Sequence, residues 1–318
     1  MNIILFEPEL FNGAAGPEAE QTPVRAAGRS GVEHDVFSRA ADRPEAFLPA
    51  ADERAVHIRK ILGLAEGQTC RAGLLDGPAG EIRVEGYEEG GVRVSWTETG
   101  PPVGLYPLTL VVGYTRPISS KRILREAASL GVERLVFTGT ETGEKSYREA
   151  NLWKEESRWR RFLVDGLQQA GATVMPAVEH ARNVRDALRV VEDALRAGEE
   201  HTRVSGAGGA VRLLLDNEIG EERLACMDLV QPGAGAGSVR GAGANTGAGA
   251  RAGAAPDSAG RAFPVRLTVA AERGWTARER ELFVNAGYRP VLLGSRILRT
   301  ETACAAGVAV TLSRMGYL

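Results

Sequence analysis

The sequence predicts an α/β protein in two parts: a small antiparallel β domain followed by a larger domain with a mainly parallel sheet. Three observations carry this. The first hundred residues hold short strand-like runs separated by glycine and proline turns. After Pro107 apolar strands alternate with helical stretches, the rhythm of a parallel sheet with covering helices. A length of 318 residues favours two domains over one. The expected boundary places the β domain at residues 1–101 and the α/β domain at 102–318.

The elements follow in order. Ile3 to Phe6 reads as a short apolar strand, and Ala51 to Leu62 as a helix with Asp52 as N-cap and Gly63 as its stop. Thr69 to Leu75, Glu81 to Gly86 and Val92 to Trp96 are strands, with turns at Asp76-Gly77-Pro78 and Gly90-Gly91. Pro101-Pro102 forms a stiff linker. In the second part the expected strands are Leu108 to Val112, Glu133 to Phe137, Val211 to Leu215, Val265 to Val269 and Pro290 to Leu293. The expected helices are Ser119 to Leu130, Glu149 to Ala170, Val184 to Ala197, Ala277 to Ala286 and Thr300 to Arg314. Gly131, Gly171 and Gly198 stand as helix stops, and Asn183 as an N-cap.

Composition sets limits. Glycine numbers 39, where typical usage of roughly 7% gives about 22. The surplus has an address: residues 232–260 read PGAGAGSVRGAGANTGAGARAGAAPDSAG. Such a segment carries too little apolar bulk to offset its ordering entropy, so a disordered insert is expected at about 232–262. A milder insert is expected at about 12–30. With 39 basic and 41 acidic residues the formal net charge is −2, which argues against attachment to nucleic acid by bulk charge alone but leaves room for a local basic face. Cys70, Cys226 and Cys304 are widely spaced, as are the four histidines, so neither a disulfide framework nor a metal site is expected. The opening MNIILFEPEL lacks the pattern of a signal peptide, and no run is long and apolar enough to span a bilayer. A soluble cytoplasmic protein is the expectation.

Ligands of parallel sheets gather at the C-terminal strand ends. Two stand out. Ala270-Ala271-Glu272-Arg273-Gly274-Trp275 links a strand to a helix whose amides face an incoming ligand, with Thr276 and Glu279 spaced as a capping box. Leu293-Gly294-Ser295-Arg296-Ile297-Leu298-Arg299-Thr300 links the last strand to the last helix, with Thr300 as a candidate cap. Arg296 and Arg299 there suit phosphate or a base edge. Basic residues also cluster at Arg116, Lys121, Arg122 and Arg125, and at Arg158, Arg160 and Arg161 beside Trp153 and Trp159. Each cluster reads either as a solvated helix face or as an RNA contact, with Trp159 taken as core. Cys304 reads as a buried small residue.

The segment LGSRILRTETA, Leu293 to Ala303, resembles the signature of the RsmE family of SPOUT methyltransferases. Other pieces agree in order: His57-Ile58-Arg59-Lys60-Ile61-Leu62, Ala127-Ala128-Ser129-Leu130-Gly131-Val132, Glu144-Lys145-Ser146, and Gln168-Gln169-Ala170-Gly171 with Pro176. The resemblance covers the whole chain except the two inserts. It implies a PUA-like RNA-binding barrel, then a SPOUT domain with a trefoil knot, a homodimer, and S-adenosylmethionine as cofactor. It also implies methylation of N3 of a uridine in 16S rRNA, with free rRNA or the assembled small ribosomal subunit as partner. Asn217, Ala270, Glu272, Gly274, Leu293, Gly294, Ile297 and Leu298 become the candidate cofactor residues. His57, Arg59, Lys60, Arg116, Lys121 and Arg296 become candidate RNA contacts. Arg299 is the candidate electrostatic catalyst, and Glu301 the candidate base or arginine orienter.

Departures from the family pattern leave two rivals: a methyltransferase with another RNA target, and a non-catalytic RNA-binding protein with a degraded pocket. The family's Gly-Pro-Glu-Gly-Gly is Ala270-Ala271-Glu272-Arg273-Gly274 here, and Ala172 stands where arginine is expected. If position 273 required a positive φ, arginine there would cost roughly 1–2 kcal/mol. Arg273 also offers to replace the charge missing at Ala172.

Overall fold

A computed structural model describes residues 2–12, 43–202, 210–230 and 263–318, which fall into two compact units, Met1–Pro102 and Val103–Leu318. The insert expected at 232–262 and residues 13–30 of the earlier one lie outside the described residues.

The first unit is a five-stranded sheet. Its elements are β1 (Ile4–Phe6), α1 (Glu9–Asn12), β2 (Glu45–Leu48), α2 (Glu53–Val56), β3 (Thr69–Leu74), β4 (Ala79–Glu88) and β5 (Gly91–Gly100). The order is β1-β3-β4-β5-β2, antiparallel apart from the β1–β3 pair. Alternation sends Leu48, Ile82, Val84, Val92 and Val94 inward, where they pack with Phe6 and Ile58. Asp52 caps α2 by accepting from the Arg54 amide. The chain then continues as a π-helical turn over His57–Leu62, which ends at Gly63 with φ +60°. β2 was not expected from the sequence; among the described residues it pairs only with β5, and it is too short for its alternation to show in the sequence.

The second unit is a seven-stranded, wholly parallel sheet of order β10-β12-β9-β11-β6-β7-β8. Its strands are β6 (Tyr106–Gly113), β7 (Val132–Thr138), β8 (Ala177–Ala181), β9 (Val211–Leu215), β10 (Glu222–Arg223), β11 (Val265–Val269) and β12 (Arg289–Leu292). Its helices are α3 (Pro117–Ser129), α4 (Lys145–Arg148), α5 (Glu156–Ala170), α6 (Val184–Thr202), α7 (Ala277–Asn285) and α8 (Thr300–Arg314). Central strands are buried on both faces: all five residues of β11 are inaccessible. One face packs α6 and α7 around Val184, Leu214, Trp275 and Phe283. The other carries α3 and α8.

Three expectations need correction. The long helix from Glu149 is interrupted: Ala150 and Glu155 are extended, and α5 starts at Glu156. Trp153 packs 4.6 Å from the Phe137 ring and donates its indole N–H to the Tyr147 carbonyl, so tertiary packing overrides helix propensity. α6 passes through Gly198 rather than stopping there. Thr300 is inside α8; the N-cap is Arg299, with no side-chain cap bond.

Candidate active site

The C-terminal ends of β9, β11 and β12 converge with the start of α3 around a cleft of about 630 Å³. Each wall has a local cause. The β11–α7 loop approaches β6 so closely that a Cβ on Gly113 would lie 2.6 Å from the Ala271 amide nitrogen. Gly274, at φ +74°, lets the loop turn into α7, whose capping box forms as expected between Thr276 and Glu279. Glu279 is buried, and its second oxygen accepts from the Glu141 amide at 2.8 Å, which ties this loop to the one after β7. Glu272 accepts from the Arg116 amide at 3.1 Å, joining the loop to the start of α3.

The turn after β9 is equally fixed. Asp216 accepts from the amides of Glu218 and Ile219 at 2.8 and 3.1 Å. Arg280, from the first turns of α7, donates to Asp216 and pairs with Glu218. The β12–α8 loop supplies the apolar wall: Leu293, Ile297 and Leu298 line the cleft, and Ile297 is 88% exposed. Apolar surface held open in a concave site is what a bound organic ligand covers. Arg299 is exposed on the cleft at the cap of α8. Glu301, in the first turn, is buried with its carboxylate 3.6 Å from the Arg122 guanidinium.

The fold thus gathers Arg116, Asn217, Ala270, Glu272, Gly274, Leu293, Arg296, Ile297, Leu298, Arg299 and Glu301 on one cleft. Gly294 does not line it, and a Cβ there would meet nothing within 4 Å. Lys121 opens instead onto a separate pocket. His57, Arg59 and Lys60 lie on the π-helical turn of the first unit, where burial lowers the His57 pKa and Arg59 donates to the Gly90 carbonyl at 2.8 Å. The strain considered for Arg273 does not arise. Among the described residues only Asp76 and Glu89 combine a side chain with positive φ, and Arg273 donates to the Thr142 carbonyl at 3.3 Å. Cys304 is buried as expected, and burial raises its thiol pKa, which suits a packing residue. Arg280 escaped sequence reasoning; its signal was an arginine four residues after the helix cap, on the turn that faces the cleft.

Residues 104–219 and 250–312 match the RNA methyltransferase domain family. The chain is 32% identical over 269 residues to ribosomal RNA small subunit methyltransferase E of Treponema pallidum, covering 84% of this chain and 85% of that protein. It is 23% identical over 264 residues to ribosomal RNA small subunit methyltransferase E 1 of Borreliella burgdorferi, covering 83% and 91%. Two solved structures share the fold at 18% identity, each covering 87% of this chain and 94% of its own. One is a putative methyltransferase of Legionella pneumophila in complex with S-adenosylmethionine, at TM-score 0.59. The other is ribosomal RNA small subunit methyltransferase E of Neisseria gonorrhoeae bound to S-adenosylmethionine, at TM-score 0.57. With the LGSRILRTETA loop forming a wall of the cleft and a relative matched along most of both chains, this protein belongs to the RsmE family of RNA methyltransferases.

Proposed function

We propose that this protein is an S-adenosylmethionine-dependent rRNA methyltransferase acting on N3 of a uridine in 16S rRNA, in the free RNA or the assembled small subunit. The observation that carries the reading is the β12–α8 loop, which brings an apolar wall and Arg299 to the same cleft. The residues present fit the cofactor. Leu293, Ile297 and Leu298 suit an adenosine face. Asn217 and Glu272 supply polar groups, and Ala270 and Gly274 leave backbone accessible. Glu218, 72% exposed, offers a carboxylate to ribose hydroxyls or an amino group.

S-adenosylmethionine, when bound, supplies a methyl group on an electrophilic sulfonium. Uracil N3 must lose its proton before it can attack. Arg299 stabilises the negative charge that develops between O2 and O4. Glu301, in the first turn of α8, accepts the N3 proton or instead orients an arginine, its carboxylate lying 3.6 Å from the Arg122 guanidinium. Arg116 and Arg296 at the cleft, Lys121 on α3, and His57, Arg59 and Lys60 on the first unit bind RNA in this reading.

The first unit serves as a PUA-like barrel, and residues 102–318 as a SPOUT domain with a trefoil knot. A return from β12, beyond β9, to α8 beside α3 supports the knot. Ile118, Ile297 and Leu298 are exposed apolar side chains, which supports a homodimer whose second copy covers the cleft. No helix among the described residues is long and apolar enough to cross a membrane, and the reading places the enzyme in the cytoplasm, beside ribosomes. Nucleoside mass mapping of 16S rRNA tests the assignment. 3-Methyluridine should vanish in a deletion strain and return with the gene, and its persistence in the deletion strain would overturn the target.

A further inference from the structure

Lys121 lies on α3, whose first residues border the cleft, and α3 packs against α5. Between these helices and the turn at Asn151–Trp153 is a second pocket of about 440 Å³. It is lined by Lys121, Asn151, Leu152, Ser157, Arg158 and Arg161: three cations, two neutral hydrogen-bonding side chains and no carboxylate.

The cations are held close together. The Lys121 ammonium and the guanidinium carbons of Arg125 and Arg161 lie 5.5, 5.5 and 4.7 Å from the centroid of the Phe162 ring. Arg125 is paired with Asp165 and Arg158 with Glu155. Lys121 and Arg161 have no carboxylate partner among the described residues. An exposed cation–π contact is worth about 0.5–1 kcal/mol, so one aromatic face steadies these side chains without neutralising them. Arg116 precedes Lys121 by five residues, about 7.5 Å of rise along a helix, so basic groups run from the cleft to the pocket.

We propose that this pocket seats the phosphodiester backbone of the substrate RNA beside the target nucleotide. Guanidinium groups with amide and hydroxyl donors match phosphate oxygens, and an open pocket at one side of a base-sized cleft suits a strand whose target base is turned inward. The proposal rests on the rRNA methyltransferase reading and adds to it a backbone site that includes Asn151, Ser157, Arg158 and Arg161.

The test is fluorescence anisotropy of a labelled 16S rRNA fragment with the wild-type protein, Lys121→Gln/Arg161→Gln and Lys121→Arg/Arg161→Lys, over a salt series. The Gln pair should bind several-fold more weakly, with a salt slope shallower by about 0.7 per lost contact to a single strand. The charge-keeping pair should recover most of the slope. S-adenosylmethionine affinity by calorimetry should be the same in all three, which checks the fold. A wild-type protein that binds the fragment while the Gln pair keeps its affinity and slope overturns the pocket alone. Failure of the wild type to bind either the fragment or, by filter binding, small ribosomal subunits from a deletion strain overturns both this site and the rRNA reading. A Lys121- and Arg161-dependent rise in melting temperature with inorganic phosphate at matched ionic strength, with RNA binding unchanged, makes it a free-phosphate site and also overturns the proposal.

Discussion

The Arg280 Nε donates to Asp216 Oδ2 at 2.7 Å, and the Asp216 side chain is only 4% exposed. This pair fastens α7 to the turn that carries Asn217 into the cleft. Asp216 keeps two backbone donors if the arginine is lost, so the turn should survive with more freedom. Arg280→Met is therefore expected to weaken S-adenosylmethionine binding about tenfold, equivalent to about 1.4 kcal/mol. Arg280→Lys, which lacks the second arm of the fork, should fall between. Calorimetric titration checks this; unchanged affinity in Arg280→Met would show that the turn holds itself.

Glu301 and Arg122 separate two roles. A carboxylate that takes the N3 proton should lose about 10²–10⁴ in turnover on conversion to glutamine. If Glu301 only orients Arg122, Arg122→Gln should be as damaging as Glu301→Gln, and the double variant no worse than either. Single-turnover methylation at saturating cofactor distinguishes these outcomes. We expect the larger loss in Glu301→Gln, with cofactor affinity retained.

Glu279 serves two loops at once, accepting from the Thr276 amide at 2.9 Å and the Glu141 amide at 2.8 Å. Glu279→Ala leaves two part-buried backbone donors without their acceptor and removes half of a capping box, at a cost of about 2 kcal/mol. For a domain of this size that lowers the melting temperature by about 4–8 °C. Differential scanning calorimetry reads this directly, and Glu279→Gln should recover part of the loss.

These relationships explain what the sequence disclosed. Leu293 to Ala303 was legible because its chemistry is contiguous: a strand end, a turn, two arginines and a helix start. Thr276 and Glu279 were legible for the same reason, lying three residues apart on one helix turn. Arg280 and Asp216 are 64 residues apart, and Glu141 and Glu279 are 138 apart, so only the folded sheet brings them together. Trp153 broke an expected helix because Phe137 and His180, on neighbouring strands, offered it a better environment than solvent.

Tyr288 gives a pH prediction. Burial pushes its phenol up to about 12, against an ordinary value of 10.0, while nearby Arg266 and Arg212 pull the other way. The folded state therefore keeps a proton that the unfolded chain loses first. Stability from this group is fully present below pH 10.0 and is lost as pH rises towards about 12. Tyr288→Phe should flatten that part of the stability profile in urea titrations at stepped alkaline pH.

Arg266 sits in the middle of β11 with its side chain 3% exposed, and Glu192 on α6 accepts from it at 2.9 Å and from Arg212 at 3.0 Å. Burial lowers the pKa of Arg266, yet a guanidinium stays charged, so it depends on that carboxylate. Glu192→Ala strands the buried cation. A fully buried pair would lose about 3–5 kcal/mol, but Glu192 is 39% exposed, and water discounts the loss to about 1–3 kcal/mol. Arg266→Met removes the charge itself and leaves Glu192 with Arg212, so its effect should be smaller, close to neutral. Urea denaturation of both single variants and the double checks the asymmetry. If Arg266→Met proves as damaging as Glu192→Ala, the arginine is held by its packing rather than carried at the expense of its charge.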